Sequence, residues 1–248
     1  MNLEGKTILI TGGGSGIGLE LARRLAVENK VVIGGRDEAK LDRARVETPA
    51  LRTFRLDVTS EEEARRAVAW LSSELGGLDL LVNNAGLLRG YALSSPGCDT
   101  NAVEDVEVNL LGAVRMTRLA LPLLDASEGA VLFVSSAVAL AAVPGFAVYA
   151  ATKAAVHSLA RSLRAELKPT GIRVFEALLP VVDTGQVQEL DVPKLSAAAV
   201  VDAIITGLQQ DREEIRVGRV RQLAQLARLS PRLADRIVTR ALTPLRNP

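Results

Sequence analysis

The sequence predicts an α/β protein built on a parallel sheet, and three observations carry that expectation. Short runs rich in Val, Ile and Leu alternate with longer stretches of helical length over most of the 248 residues, the pattern of strands buried on both faces and joined by crossover helices. A glycine-rich turn, TGGGSGIG from Thr11 to Gly18, follows the first of these runs and opens the first helix. The composition, 48% hydrophobic and 24% charged, is ordinary globular usage, and α/β chains of about 250 residues often fold as one domain. A single domain spanning 1–248 is therefore expected.

Seven runs read as strands: KTILIT (6–11), VVIGG (31–35), LRTFRLD (51–57), LDLLVN (78–83), AVLFVSS (130–136), IRVFEALLP (172–180) and EIRVG (214–218). Residues 16–28, 60–75, 102–125, 148–168 and 196–210 have helical length and spacing between them. Ser60 and Glu63 make a capping box, and Asp37 fits the N-cap of a short helix in DEAKLDRA. Two stretches carry turn chemistry and weak periodicity, SSPGCDT around Cys98 and Gly185 to Ser196, and are expected to face the substrate.

A formal net charge of +1 does not advertise nucleic-acid binding. One histidine, His157, excludes sites that need two imidazoles, and no metal site is expected. A lone cysteine cannot close an internal disulfide, no apolar run is long enough to span a bilayer, and MNLEGKTILITGGG lacks a signal-peptide h-region, so a cytoplasmic protein is expected. Charge is uneven: residues 216–248 carry eight arginines against Asp235, a net of +7, which leaves −6 for residues 1–215. In this basic helical tail Arg232, Arg236 and Arg240 recur beside Leu233, Ile237 and Ala241, between Pro231 and Pro244. Such a helix buries its apolar stripe on the fold or a partner subunit, the favoured expectation, or rests peripherally on an anionic membrane.

The context strand, glycine turn, helix suits a dinucleotide phosphate. Gly12 permits the tight turn, Gly16 the approach of a pyrophosphate and Gly18 close packing of the helix, with helical N–H groups facing the anion. At the end of the second strand, where an acid would bind the ribose diol of NAD, stand Gly35 and Arg36. An arginine pairs with a 2′-phosphate, so NADP(H) is preferred and NAD(H) remains usable. Asp57 and the NNAG turn, Asn83 to Gly86, fall at strand ends where ligands bind in open parallel sheets.

Tyr149 and Lys153, four apart on a helix, share one face. An ammonium beside a phenol lowers its pKa and makes it a usable acid or base. Ser136 ends the fifth strand, where its hydroxyl can bond the same substrate oxygen, and Ser135 precedes it. Asn109, mid-helix in VEVNLLGA, implies that its side chain or a local distortion serves something. His157 lies four residues past Lys153, but without a GxSxG elbow it reads as a packing or subunit-contact residue rather than the base of a hydrolase.

TGGGSGIG, NNAG, VNLLG, the thirteen residues from Ser136 to Tyr149, and YAATK together resemble, in order and over nearly the whole chain, the short-chain dehydrogenases/reductases. LPVVDT, GRDEAKLDRA and RVGRV look most like the branch related to the oxidoreductase found with D-alanyl lipoteichoic acid genes. The resemblance implies a doubly wound (Rossmann) sheet with helices on both faces, a bound NAD(P) and homo-oligomers. It implies a tetrad: Tyr149 as acid/base, Lys153 on the nicotinamide ribose lowering the tyrosine pKa, Ser136 orienting the carbonyl, and Asn109 anchoring a water. By the same likeness Gly12, Ser15, Gly16, Ile17, Gly18, Arg36, Asp57, Val58, Asn83, Ala85 and Gly86 line the cofactor, with Val182 and Thr184 on its nicotinamide amide and phosphates. Leu179 and Pro180 stand where the family has Pro-Gly. The expected function is an NADPH-dependent carbonyl reductase or alcohol dehydrogenase on an apolar substrate, and the alternative is a nucleotide-sensing scaffold without turnover.

Overall fold

The computed structural model describes residues 1–185 and 193–242. Positions 186–192 of the expected substrate-facing stretch, and Pro244, lie outside the described residues. In chain order the elements are β1 (Thr7–Thr11), α1 (Gly16–Leu25), β2 (Lys30–Gly35), α2 (Glu38–Glu47), β3 (Arg52–Arg55), α3 (Glu61–Leu75), β4 (Leu80–Asn83) and α4 (Cys98–Val106). There follow α5 (Gly112–Ala126), β5 (Ala130–Ser136), α6 (Ala147–Glu166), β6 (Arg173–Leu179), β7 (Val182–Asp183), β8 (Leu195–Ser196), α7 (Ala197–Gln209), β9 (Glu214–Arg216), α8 (Val220–Leu229) and α9 (Pro231–Leu242).

One sheet runs β3-β2-β1-β4-β5-β6-β9 and is parallel throughout. Side chains alternate across it. Ile8, Ile10, Val31, Ile33 and Val82 meet α1, α2 and α7 on one face, while Leu9, Val32, Leu81, Val131 and Phe133 meet α3, α5 and α6 on the other. Both faces are thus covered, which is why the strands read as continuous apolar runs. Neighbouring strands β1 and β4 are far apart in sequence, so the order of winding reverses between them. Their carboxyl ends open the crevice where ligands of such sheets bind.

The expected helix at 102–125 is interrupted by a π-helical turn, Glu107–Leu111, that contains Asn109; the distortion read from that asparagine is there. The first helix stops at Leu25 rather than residue 28. Half of the capping box forms: the Glu63 N–H donates to Ser60 Oγ at 3.3 Å. The Glu63 carboxylate instead accepts from the Asp57 N–H at 2.8 Å and pairs with Arg55. In the tail, α9 packs on α8 with Ala234 fully buried, and Ile237 and Val238 turn toward the crevice.

Candidate active site

The crevice begins at two turns stapled together. Thr11 Oγ1 donates to the Val82 carbonyl and accepts from the N–H groups of Asn84 and Ala85 at 3.0 and 3.1 Å. Asn84 Nδ2 donates back to the carbonyls of Thr11 and Gly12 at 3.0 and 3.1 Å. This staple explains two glycines. Gly12 has φ +64°, and a Cβ on it would sit 2.8 Å from Ala85 Cα; a Cβ on Gly18 would sit 2.4 Å from Asn84 Nδ2 and 2.7 Å from the Gly12 carbonyl oxygen. Gly18 therefore packs its helix against the neighbouring turn rather than against a strand. Neither Thr11 nor Asn84 was singled out within its motif, because the staple depends on β1 and β4 being neighbours.

The start of α1 is prepared for an anion. Its first turn carries no acid, and the Ser15 hydroxyl, at the N-cap position, makes no cap bond. Gly16 faces Thr184 across the opening, with Cγ2 3.4 Å from where a Cβ would be, and Ile17 lines the same wall. Val182 is buried beside them. Small residues, helical N–H groups and two hydroxyls fit the pyrophosphate of a dinucleotide.

Beyond β2, Arg36 Nη1 lies 3.7 Å from Glu104 on α4, in an exposed pair. Asp37 caps α2, accepting from the Lys40 N–H at 3.0 Å, a bond that holds its carboxyl below the usual range. Lys40 lines the cavity; sequence reading missed this second cation, although its place one turn past Arg36 was the available signal. Asp57 spends Oδ1 on the N–H and hydroxyl of Thr59, at 2.9 and 2.8 Å, and Val58 packs its side chain on α5, where a Cβ on Gly112 would come within 2.6 Å of its Cγ2. Asn83 donates to Thr117 at 2.9 Å, leaving a buried Oδ1 with no hydrogen-bond partner among the described residues. None of these three lines the cavity.

The crevice holds a cavity of about 1060 Å³ with Ser136, Tyr149 and Lys153 on its surface. Tyr149 is half-buried and lines this space, and burial pushes the phenol up to about 12, with the Ser136 hydroxyl pulling it down. The ammonium-lowered phenol expected from the four-residue spacing is not what this geometry gives. Lys153 Nζ stands 5.8 Å from the centre of the Tyr149 ring and donates to the Val134 carbonyl at 3.1 Å, so its charge is not directed at the hydroxyl. Burial lowers Lys153 itself to about 8, opposed by the nearby carboxylate of Glu176. Ser135 is turned away, donating to the Lys153 carbonyl at 3.4 Å.

Asn109 is buried behind this group. Its Oδ1 accepts from the Leu87 N–H at 2.7 Å, and its Nδ2 donates to the Leu87 carbonyl at 3.0 Å and to Thr152 Oγ1 at 3.2 Å. Both amide protons are committed, so the side chain clamps the loop after β4 to α6 instead of reaching into the cavity. Gly86 lies at the same junction, a Cβ on it falling 3.2 Å from Asn109 Oδ1 and 3.5 Å from Lys153 Nζ. The rest of the lining is mostly apolar, with Phe146, Leu223, Leu226, Ile237 and Val238, but includes Arg219 and Gln222.

Residues 6–194 match the family model described as short chain dehydrogenase. The oxidoreductase DltE of Bacillus subtilis (strain 168) is 35% identical over 238 residues, 92% of this chain and 94% of that one. An oxidoreductase of Staphylococcus saprophyticus is 34% identical, covering 85% of this chain and 94% of its own. Among solved structures, a short chain dehydrogenase from Burkholderia cenocepacia J2315 in complex with NADP superimposes with a TM-score of 0.87 at 29% identity, over 96% of this chain and 99% of that one. A 3-ketoacyl-(acyl-carrier-protein) reductase from Brucella melitensis complexed with NADH gives 0.80 at 30% identity, over 88% and 100%.

Proposed function

We propose that this chain, which belongs to the short-chain dehydrogenase/reductase family of oxidoreductases, is an NADPH-dependent reductase of apolar carbonyl compounds that also oxidises the corresponding alcohols. The observation that carries this reading is that Ser136, Tyr149 and Lys153 line one cavity with Gly12, Ser15 and Gly16 of the glycine turn. The nicotinamide cofactor, when bound, supplies or accepts the hydride. Ser136 and Tyr149 hold the carbonyl oxygen, and Tyr149, protonated at neutral pH because burial favours its neutral form, gives that oxygen its proton. Lys153 would hold the nicotinamide ribose. Phe146, Leu223, Leu226, Ile237 and Val238 favour apolar groups around the carbonyl, since a charged group set against them would lose its hydration uncompensated, while Arg219 and Gln222 add polar contacts on the same cavity. A proton donor and its orienting serine have no use in a nucleotide sensor, which counts against the scaffold alternative.

Screening aliphatic, aromatic and cyclic ketones and aldehydes by NADPH absorbance, and the matching alcohols with NADP, tests the reading. Turnover of apolar members is expected, and no turnover across the panel by folded, NADPH-binding protein would overturn it.

Preference for NADP rests on Arg36, with Lys40, four residues on, lining the cavity. The Glu104 partner of Arg36 is no strong competitor, because exposed ion pairs contribute about 0–1 kcal/mol. NADPH should bind at least about tenfold tighter than NADH, or about 1.4 kcal/mol, and Arg36→Asp should reverse the order. Calorimetric titration of both cofactors checks this; an unchanged ratio in the variant would assign the preference elsewhere.

The same reading takes residues 1–248 as one unit, cytoplasmic, and assembled with copies of itself. Exposed Val103 on α4, Leu111 in the π-helical turn and Val114 on α5 supply apolar surface for that assembly. For the tail, the cavity and α8 already occupy part of the apolar stripe of α9, which supports packing on the fold over membrane contact. Leu233 and Ile237 keep 44% and 49% of their surface exposed, so an anionic membrane would meet only a narrow stripe. Among the described residues no helix is long and apolar enough to cross a membrane.

A further inference from the structure

Glu176 is fully buried in the middle of β6, between Phe175 and Ala177. The strand pattern calls for an apolar side chain there, and an ionised carboxylate without compensation would be costly. One partner is clear: Oε2 lies 2.7 Å from Nδ1 of His157 on α6. Oε1 has no hydrogen-bond partner among the described residues. His157 follows Lys153 by one helical turn, so the two share the face of α6 that covers the sheet, and the carboxylate acts on the Lys153 ammonium electrostatically. Lys153 is in turn anchored on β5, the strand next to β6, through the Val134 carbonyl.

The other charged groups around the pair are accounted for. Glu214 on β9 is in register with Glu176; burial pushes its carboxyl up, and Arg216, with His157 and Arg164, outweighs this and holds it below the usual carboxylate range. Arg164 itself donates to the Val174 carbonyl at 3.0 Å, and β5 carries no charged side chain. Glu214 thus has its own cation in Arg216, whereas among the described residues Glu176 pairs with His157 and acts on Lys153.

We propose that Glu176 is a positioning residue for the site: it is the buried counter-ion that keeps the Lys153 ammonium charged, and His157 fixes the carboxylate so that it can do so. This goes beyond the reductase reading and depends on it only for its effect on rate. The histidine read from sequence as a packing or subunit-contact residue then has a chemical task one layer behind the cavity.

Lysine Cε NMR tests this without any substrate. The chain has six lysines, and Lys153→Arg identifies the resonance of Lys153. In Glu176→Gln its titration midpoint should fall by about one pH unit or more, the usual consequence of removing an opposite charge at close range, while the other five stay in place. Glu176→Asp should recover part of the fall. Because the ammonium is the working form, loss of the carboxylate moves the alkaline decline of carbonyl reduction to lower pH by the same amount. An unmoved Lys153 midpoint in folded Glu176→Gln would overturn the proposal and leave Glu176 a structural partner of His157. Should Gln at 176 prevent folding, Glu176→Met, apolar and of similar size, carries the same expectation, since buried ionic groups often tolerate such replacement. Absence of turnover on every carbonyl would sink the reductase reading while the lysine titration still decides this one.

Discussion

Tyr149→Phe is expected to lower turnover about 10³-fold, within the range contributed by a positioned general acid, while cofactor affinity changes by less than about twofold. The reason is local. The ring keeps its place on the cavity wall near Lys153 in either variant, so only the hydroxyl, the proton donor, is lost. The phenol, at about 12, is protonated throughout the neutral range, so reduction draws on the form already present. Alcohol oxidation needs the phenolate and should therefore gain rate as pH rises, whereas reduction should not. Steady-state rates in both directions across pH 6–10, roughly the span between ordinary His and Lys titrations, check both statements. If the Phe variant kept most of its activity, the proton donor would have to be sought elsewhere, and Ser136 would be the next group on the cavity.

Much of this site can be read in one dimension because its parts are local. The glycine turn and the first turn of α1 are contiguous, and Tyr149 and Lys153 meet through helical spacing alone. Ser136 is placed by a strand end. The sheet itself is legible for a similar reason: strands covered on both faces leave unbroken apolar runs, and their order follows from the crossover pattern. What escaped reading is what depends on contacts between elements. Asn109 announced a distortion, and a π-helical turn is there, but that its amide would clamp Leu87 to Thr152 required knowing that α6 passes the loop after β4. Glu176 stands plainly in IRVFEALLP, and only the docking of α6 on β6 shows that His157 meets it and that its charge acts on Lys153. The spacing rule that found the Tyr149–Lys153 pair also led to an error of direction. It supplied the ammonium and omitted burial, which dominates both groups and pushes the phenol up and the amine down.

That same burial gives Lys153→Met its expected result: a protein more stable than the parent at neutral pH and nearly inactive. A folded pKa near 8 against an ordinary 10.5 means that burial costs the ammonium roughly 3 kcal/mol. Met removes that cost but also the hydrogen bond to the Val134 carbonyl, about 1 kcal/mol, for a net gain of about 2 kcal/mol. The sign with pH follows from the direction of the displacement. Here the folded value lies below the unfolded one, so the parent carries the full penalty below pH 8, sheds it as the folded-state lysine loses its proton, and is free of it above 10.5. The advantage of the variant should therefore be largest at pH 7 and shrink toward pH 10. Thermal melts without cofactor at those two pH values measure it, and an equal difference at both would mean that Lys153 does not bear a buried charge. Activity should fall together with NADPH affinity, because the variant removes the group that would hold the ribose. A gain in stability joined to a loss of function is what distinguishes a lysine placed for chemistry from one placed for packing; at a packing position the same substitution would leave both nearly unchanged.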